Sequence, residues 1–275
     1  MPAPIPALPA GRSRTRTLLA AAVVGLVMPA CAPQPPEGYR APRTAYGTPD
    51  VSGIWQATNT ANWDIQAHEA RPGPVAALGA AFSVPPGLGV VDGNELPYLP
   101  DALAKKKANG DNWVALDPEV KCFMPGIPRA TYMPYPFQIV PSADTILMTY
   151  EFASATRVVR MNSAEKSPAP AWMGWSIGRW EGETLVIEVT DHMEETWLDR
   201  AGNHHSDALK VTERYTALDA NTLQYEATID DPKVFSRPWT MSMPLYRRRE
   251  ATMQLMEYKC VPFAEELMYG HLRKK

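Results

Sequence analysis

Apolar and polar residues alternate along most of the chain after residue 136. In residues 222–229, the odd positions are apolar or aromatic and the even positions are polar, and a period of two places successive side chains on opposite faces of a β-strand. Glu181-Gly182-Glu183 separates two such segments and is typical of a hairpin turn. The pattern predicts strands at Phe137–Val140, Thr145–Tyr150, Thr156–Met161, Trp175–Trp180, Thr184–Thr190, Leu209–Thr216, Thr222–Ile229, Trp239–Leu245 and Thr252–Cys260.

The predicted strands follow one another without intervening helices, which indicates an all-β fold with antiparallel strands in meander order. An open sheet has two unpaired edges, and closure into a barrel removes both. We therefore predict an antiparallel, lipocalin-like β-barrel. The chain has no Gly-rich phosphate loop and no β–α–β alternation, so we expect no nucleotide and no other cofactor.

Residues 59–136 are rich in proline and show no sustained periodicity. Only Pro100 to Ala108 has a helical pattern, with a proline at its start and Asn109-Gly110 as its expected end. A connection of this length with little regular structure is usually functional or disordered. We predict a long irregular segment that covers the barrel.

The N-terminus has the pattern of an export signal. Three arginines precede an apolar run from Leu18 to Val27, and Met28-Pro29-Ala30-Cys31 follows it; such a run is too short to span a bilayer stably. We predict an export signal at residues 1–30, a flexible tether at 31–50 and a single barrel domain at 51–275. Either Cys31 is the acylated first residue of a membrane-anchored lipoprotein, or the chain is cut nearby and is free in the periplasm.

The charge of the chain gives no indication of a nucleic-acid partner. The formal net charge is −3, and removing residues 1–30 takes away three arginines and no acid, which leaves 24 basic against 30 acidic residues and a net charge of −6. Besides Cys31, the chain contains Cys122 and Cys260. In an oxidising compartment two such cysteines are expected to form a disulfide.

Ionisable residues occupy odd positions before and within the predicted strand Leu209–Thr216. If the strand extends back to residue 205, one face carries His205, Asp207, Leu209, Val211, Glu213 and Tyr215. Ionisable groups on an apolar face are costly to bury and usually have partners or a task. This face is the main candidate for a site.

The first interpretation of this face is acid–base catalysis. His205 would transfer protons, oriented by Asp207 or Glu213, since residues two apart on a strand face lie roughly 6.5–7 Å apart. A neighbouring carboxylate would fix the tautomer and favour the imidazolium, and Tyr215 would donate a hydrogen bond to a substrate oxygen. The function predicted is a cofactor-free lyase, hydratase or isomerase acting on a small, partly apolar molecule.

Two alternatives remain open. In the first, the polar groups His205, Asp207, Glu213 and Arg200 form a satisfied network that seals one end of the barrel, or they bind a ligand without converting it, as in a periplasmic binding or carrier protein. A metal-dependent hydrolase would need two histidines with a carboxylate, but His204 and His205 are adjacent and would face opposite ways on a strand, and the chain has no His-x-His or His-x-x-x-His spacing. We therefore expect no metal, His192 being separated from them by a loop. Trp197 is a candidate for a pocket wall, and Arg129, Lys233 and Arg237 are candidates to bind an anionic group of the ligand.

The start of the predicted barrel resembles the lipocalin and wider calycin signature. Gly53-x-Trp55 lies in the first predicted strand, within Val51 to Gln56. The resemblance implies that Trp55 closes one end of the barrel and that an arginine from a late strand packs over it. Arg247, Arg248 or Arg249 could supply that arginine.

Several motifs together resemble a family of exported bacterial proteins that are usually labelled hypothetical. They are Asp117 to Cys122 with Pro125 to Thr131, Gly178 to Gly182, the Trp-x-Asp-Arg-Ala-Gly-Asn-x-His-Ser-Asp stretch from Trp197 to Asp207, and Asp231 to Phe235 through Tyr246. The resemblance covers most of the chain after the export signal. It implies no reaction, but it marks Arg129, Asp199, Arg200, His205, Asp207 and Lys233 as candidate site residues.

Overall fold

The computed structural model describes residues 39–73, 83–262 and 271, all within one compact unit. The predicted export signal and Cys31 lie outside the described residues. Within the described ranges, no helix is both long and apolar enough to cross a membrane.

Nine strands form a closed barrel in which each strand pairs with its neighbours in sequence and the last pairs with the first. The strands are β1 (Gly53–Ala57), β2 (Phe137–Pro141), β3 (Thr145–Tyr150), β4 (Thr156–Met161), β5 (Trp175–Glu181), β6 (Thr184–Thr190), β7 (Lys210–Ala217), β8 (Thr222–Asp230) and β9 (Trp239–Arg247). The all-β barrel predicted from the alternation is thus confirmed.

One pair of neighbouring strands is parallel, so the barrel is not a purely antiparallel meander. β4 and β5 are parallel, with Val159 opposite Ser176, because residues 162–174 carry the chain back along the barrel before β5 begins. The strand predicted at Thr252–Cys260 is wrong: this segment has no regular structure. β9 already pairs with β1 through Trp55 and Arg247, so the closed barrel has no free edge for a further strand.

One end of the barrel is closed by Trp55, which is fully buried. Its indole N–H donates to the carbonyl of Val51 over 3.0 Å, and the Arg247 guanidinium lies 4.2 Å from the ring centroid. Arg247 also donates to the carbonyls of Ser52 and Ala220. A Cβ at Gly53 would lie 2.2 Å from the guanidinium, so this arrangement requires the glycine. Arg247 is therefore the residue of the arginine triplet that covers Trp55.

The other end is covered by what we call the cap, residues 58–73, 83–136, 191–209 and 231–238. These segments leave or enter the barrel at the same end, where β1, β3, β6 and β8 finish and β2, β4, β7 and β9 begin. The cap contains α1 (Pro100–Asp111), α2 (Trp113–Leu116), α3 (Arg129–Tyr132) and 3₁₀ turns at Asp92–Asn94 and Pro118–Lys121. The covering segment is thus irregular but carries more helix than its sequence indicates.

Helix α1 continues three residues beyond its expected end at Ala108. Asn109 is buried and donates to the carbonyl of Gly202 over 3.4 Å, so contacts with the rest of the cap keep the Asn-Gly pair helical.

The described part of the tether predicted at 31–50 makes contacts with the barrel. Tyr39 packs against the core and Arg43 forms an ion pair with Glu183.

A disulfide joins Cys122 in the cap to Cys260, with 5.7 Å between the two Cα atoms. This pairing is the one predicted from the cysteine content. It attaches the segment after β9 to the cap across 138 residues of sequence.

Candidate functional site

The interior of the barrel contains a buried polar network centred on Glu213. Val211, Glu213 and Tyr215 of β7 point inward and are at most 1% exposed, as the alternation predicts. Arg157 of β4 donates to Glu213 Oε2 over 2.6 Å and to the Tyr215 hydroxyl over 3.3 Å. The hydroxyls of Tyr215 and Tyr225 each donate to Glu213 Oε1 over 2.9 Å.

The members of this network satisfy one another. Arg157 also donates to the hydroxyl of Tyr150 over 3.1 Å and to that of Ser176 over 3.4 Å. Burial raises the pKa of Tyr150 to about 12 and that of Tyr215 well above its usual value, so these phenols stay neutral donors. Removing one partner of such a buried ion pair typically costs about 3–5 kcal/mol. Glu213 and Tyr215 therefore have structural partners, and Tyr215 donates to Glu213 rather than to an open cavity.

The expectation that His205 and Asp207 share this face is wrong. β7 begins at Lys210, and both residues precede it in the cap. Asp207 has a side chain that is 63% exposed and pairs with Lys233 over 2.6 Å. The buried carboxylate next to this segment is instead Asp231, which accepts hydrogen bonds from both the backbone N–H and the hydroxyl of Ser206.

His205 is buried without a carboxylate on its ring. Its Nδ1 lies 2.9 Å from the Ser206 carbonyl, which can only accept, so Nδ1 carries the proton and Nε2 accepts from the Thr196 hydroxyl at 2.5 Å. Burial lowers the pKa of His205. The imidazole is therefore neutral, contrary to the imidazolium expected from a neighbouring carboxylate.

His192 lies beside His205, with 5.7 Å between the ring centroids. It is 1% exposed, and neither of its ring nitrogens has a hydrogen-bond partner among the described residues. Burial lowers its pKa to about 3. His204 points elsewhere and stacks on Tyr98. Among the described residues, no three His, Cys, Asp or Glu side chains are placed to hold a metal ion.

A second buried network holds the cap together around Arg129. Its guanidinium donates to both carboxylate oxygens of Asp117 over 2.8 Å and to Asn62 over 2.9 Å. Glu119 lies between Arg129 and Arg200 and accepts from Arg200 over 2.8 and 3.0 Å. Arg129 is 1% exposed, so this candidate for ligand binding is instead the central cation of the cap.

Asp199 and Trp197, also candidates for ligand binding, lie inside the cap. Asp199 accepts from the backbone N–H of Ile65 and from both the backbone and side-chain amides of Asn203. Burial and the neighbouring Asp64 raise the pKa of Asp199. Trp197 is 8% exposed. Arg237 is exposed and donates to the carbonyl of Pro238. The structure therefore joins Arg129 and Arg200 through Glu119 but does not gather the predicted ligand-binding residues at one site.

The described surface contains a cleft of about 990 Å³ between α1 and the start of the covering segment. Trp63, Trp113 and Arg200 lie in its wall, and the Arg200 guanidinium is 4.5 and 4.8 Å from the centroids of the two indole rings. Of the predicted site residues, only Arg200 lines it. The sequence analysis missed both tryptophans and the lysines of α1, although Trp113 lies five residues after the predicted helix and the lysines lie within it.

No protein-family model matches the chain, and no curated protein matches it in sequence. Its function is therefore argued from the geometry of the barrel, the cap and this cleft.

Proposed function

We propose that the protein is an exported small-molecule-binding protein whose ligand occupies the cleft beside α1. The observation that carries the proposal is the cleft itself. Its volume of about 990 Å³ is at the upper end of the range typical of small-molecule sites. Its wall combines two indole rings with apolar and cationic side chains, and the N-terminal sequence pattern supports export.

Binding without conversion fits the placement of the acid–base groups. Of the described residues that line the cleft, none is a histidine and only Asp111 is a carboxylate. His205 lies buried in the cap and Glu213 lies inside the barrel. A candidate general base must come within hydrogen-bond reach of the proton that it removes, and these two residues do not line the cleft.

The proposal can be tested with the purified protein and a metabolite extract. Bound and free fractions are separated and analysed by mass spectrometry for the wild type, a Trp113→Ala variant and a Trp172→Ala control. Trp172 is a partly exposed tryptophan that stacks on Phe123 and does not line the cleft. We expect a compound that is retained unchanged by the wild type and the control and lost from Trp113→Ala. Retention by all three proteins, or by none, would contradict the proposal.

An acid–base enzyme with His205 as the proton-transfer group is the second candidate. The observation in its favour is the buried pair of His205 and His192, whose ring nitrogens include two without a partner. The same extract experiment separates the two functions. An enzyme would consume a compound and release a product, and a His205→Gln variant would abolish that turnover.

A further inference from the structure

Side chains of α1 form one continuous stripe along the face of the helix that lines the cleft. Pro100, Leu103, Ala104, Lys107 and Asp111 all line it, at intervals of three or four residues that bring side chains to the same face of a helix. Leu103 is 53% exposed there. On the other side of the helix, Ala102 and Asn109 are buried against the rest of the protein. The stripe therefore leaves apolar surface in the cleft wall next to a lysine.

The aromatic part of the cleft is preformed. The rings of Trp63 and Trp113 meet edge to face with their centroids 5.8 Å apart, and the Arg200 guanidinium packs over both rings. Glu119 holds Arg200 in place through two hydrogen bonds. Fixing both indoles before a ligand arrives lowers the entropy cost of binding a flat apolar molecule against them.

The cleft is cationic on a chain whose net charge is −3. Arg71 has a side chain that is 52% exposed, and its contact with Asp64 is a long one of 3.5 Å. Lys106 and Lys107 also line the cleft, and neither has an ion-pair partner among the described residues. Asp111 is the only acid in the described lining. The local charge therefore favours an anion.

We infer that the ligand of this cleft is a planar aromatic molecule that carries a carboxylate or an equivalent anionic group. The inference rests on the proposed function and adds the chemical class of the ligand to it. The flat body lies against the indoles and Leu103, and the anionic group faces Arg71, Lys106 and Lys107. A neutral sugar could stack on the indoles but would form no ion pair with the cationic side chains. An organic cation would be repelled by them.

Isothermal titration calorimetry with a matched pair of probes tests this inference. The anion 2-naphthoate and the neutral 2-naphthylmethanol share the same ring system and differ in charge. Benzoate and indole-3-acetate extend the series in size. We expect at least one of the three anions to bind, 2-naphthoate about tenfold more tightly than 2-naphthylmethanol, with the difference reduced at high salt because partly exposed charges are screened.

Charge-reversal variants on one helix provide the control. In Lys107→Glu, a cation in the cleft becomes an acid, and we expect the affinity for 2-naphthoate to fall about fivefold to tenfold while that for 2-naphthylmethanol changes little. Lys105→Glu makes the same change in net charge on the same helix, at a side chain that does not line the cleft. We expect it to leave both affinities within about twofold of the wild-type values. Circular dichroism confirms that each variant is folded.

Three outcomes would overturn the inference. They are no binding of any of the three anions, equal affinities for 2-naphthoate and 2-naphthylmethanol, and equal effects of the two lysine substitutions. The extract experiment separates this failure from a failure of the proposed function. If the compound retained by the wild type and lost from Trp113→Ala is neutral or cationic, the inference of an anionic ligand is wrong and the proposed binding function is still supported.

Discussion

At the scale of single residues, most of the buried charges in this protein are paired with one another. Arg157 with Glu213 and Arg129 with Asp117 are buried ion pairs with almost no exposed surface. The alternation in β7 predicted that Glu213 points inward, but no local pattern indicated its partner, because Arg157 is 56 residues away. Glu213 and Tyr215, which the sequence suggested as catalytic residues, are bonded to each other and to Arg157 inside the barrel.

The buried histidines predict how stability depends on pH. The pKa of His192 falls to about 3 in the folded state, whereas an exposed histidine titrates near 6.5. Below about pH 6.5 the unfolded state therefore binds a proton that the folded state does not, and stability decreases as the pH falls towards 3. Between pH 7 and 4 we expect His192 to account for a loss on the order of 3 kcal/mol.

Urea unfolding of the wild type and a His192→Leu variant at several pH values measures this loss. The difference between the two proteins isolates His192 from Asp199, whose raised pKa acts in the opposite direction: the folded state retains a proton that the unfolded state has released, so stability falls as the pH rises. We expect the variant to lose less stability on acidification. If the free energies of unfolding of the two proteins change in parallel with pH, His192 takes up no proton on unfolding and the prediction is wrong.

At the scale of elements, α1 is attached to the Trp197–Asp207 segment of the cap by close contact between backbones. Gly202 has a φ of +89°, and a Cβ there would lie 2.3 Å from the Lys106 carbonyl and 2.4 Å from the Gly110 amide nitrogen. A Cβ at Gly110 would lie 2.5 Å from the Ala201 carbonyl. These glycines let the helix lie directly on the Trp197–Asp207 segment, which places the helix stripe beside Trp63.

Gly202→Ala is therefore expected to disturb both the stability and the cleft. The substitution combines an unfavourable backbone conformation with overlap against fixed backbone atoms, for a cost of about 3 kcal/mol or more. Gly182→Ala is a matched control, because Gly182 has a φ of +61° and a Cβ there would meet nothing within 4 Å. Its expected cost is about 1 kcal/mol.

Thermal unfolding measures both costs, and hydrogen exchange of α1 shows whether the helix has been released. We expect faster exchange in α1 for Gly202→Ala and unchanged exchange there for Gly182→Ala. Equal destabilisation by the two substitutions would mean that the close contact with α1 contributes nothing to stability.

At the scale of the whole molecule, barrel closure and the disulfide decide where the described segment after β9 lies. Because β9 pairs with β1, the described residues after Arg247 run outside the barrel, and Cys260 is bonded to Cys122 of the cap. Other described contacts also attach this segment: the Tyr258 ring lies 5.3 Å from that of Tyr135 in the cap, and the Met256 amide donates to Glu151. The disulfide adds a covalent link between the segment and the cap to these contacts.

Replacing both cysteines, Cys122→Ser with Cys260→Ser, is expected to lower the free energy of unfolding by up to about 4–5 kcal/mol, since the bond closes a very long loop in the unfolded chain. Urea unfolding with and without a thiol reductant measures the effect. The reductant should destabilise the wild type and leave the double variant unchanged. A wild type that is insensitive to reductant while its thiols react would contradict this role.

The sequence by itself determined the strands β2 to β9, the closed all-β barrel, the inward faces of β7 and β8, the contact of Trp55 with an arginine of the triplet Arg247–Arg249, and the disulfide. Each of these depends on a local period, on a short motif or on there being only two cysteines outside the N-terminal segment. Only the tertiary structure decided which distant residues meet. It paired Arg157 with Glu213, moved Asp207 to the surface and brought Trp63, Trp113 and α1 together around a cleft. Those contacts depend on how loops of irregular sequence fold over the barrel, and no periodicity in the chain encodes that arrangement.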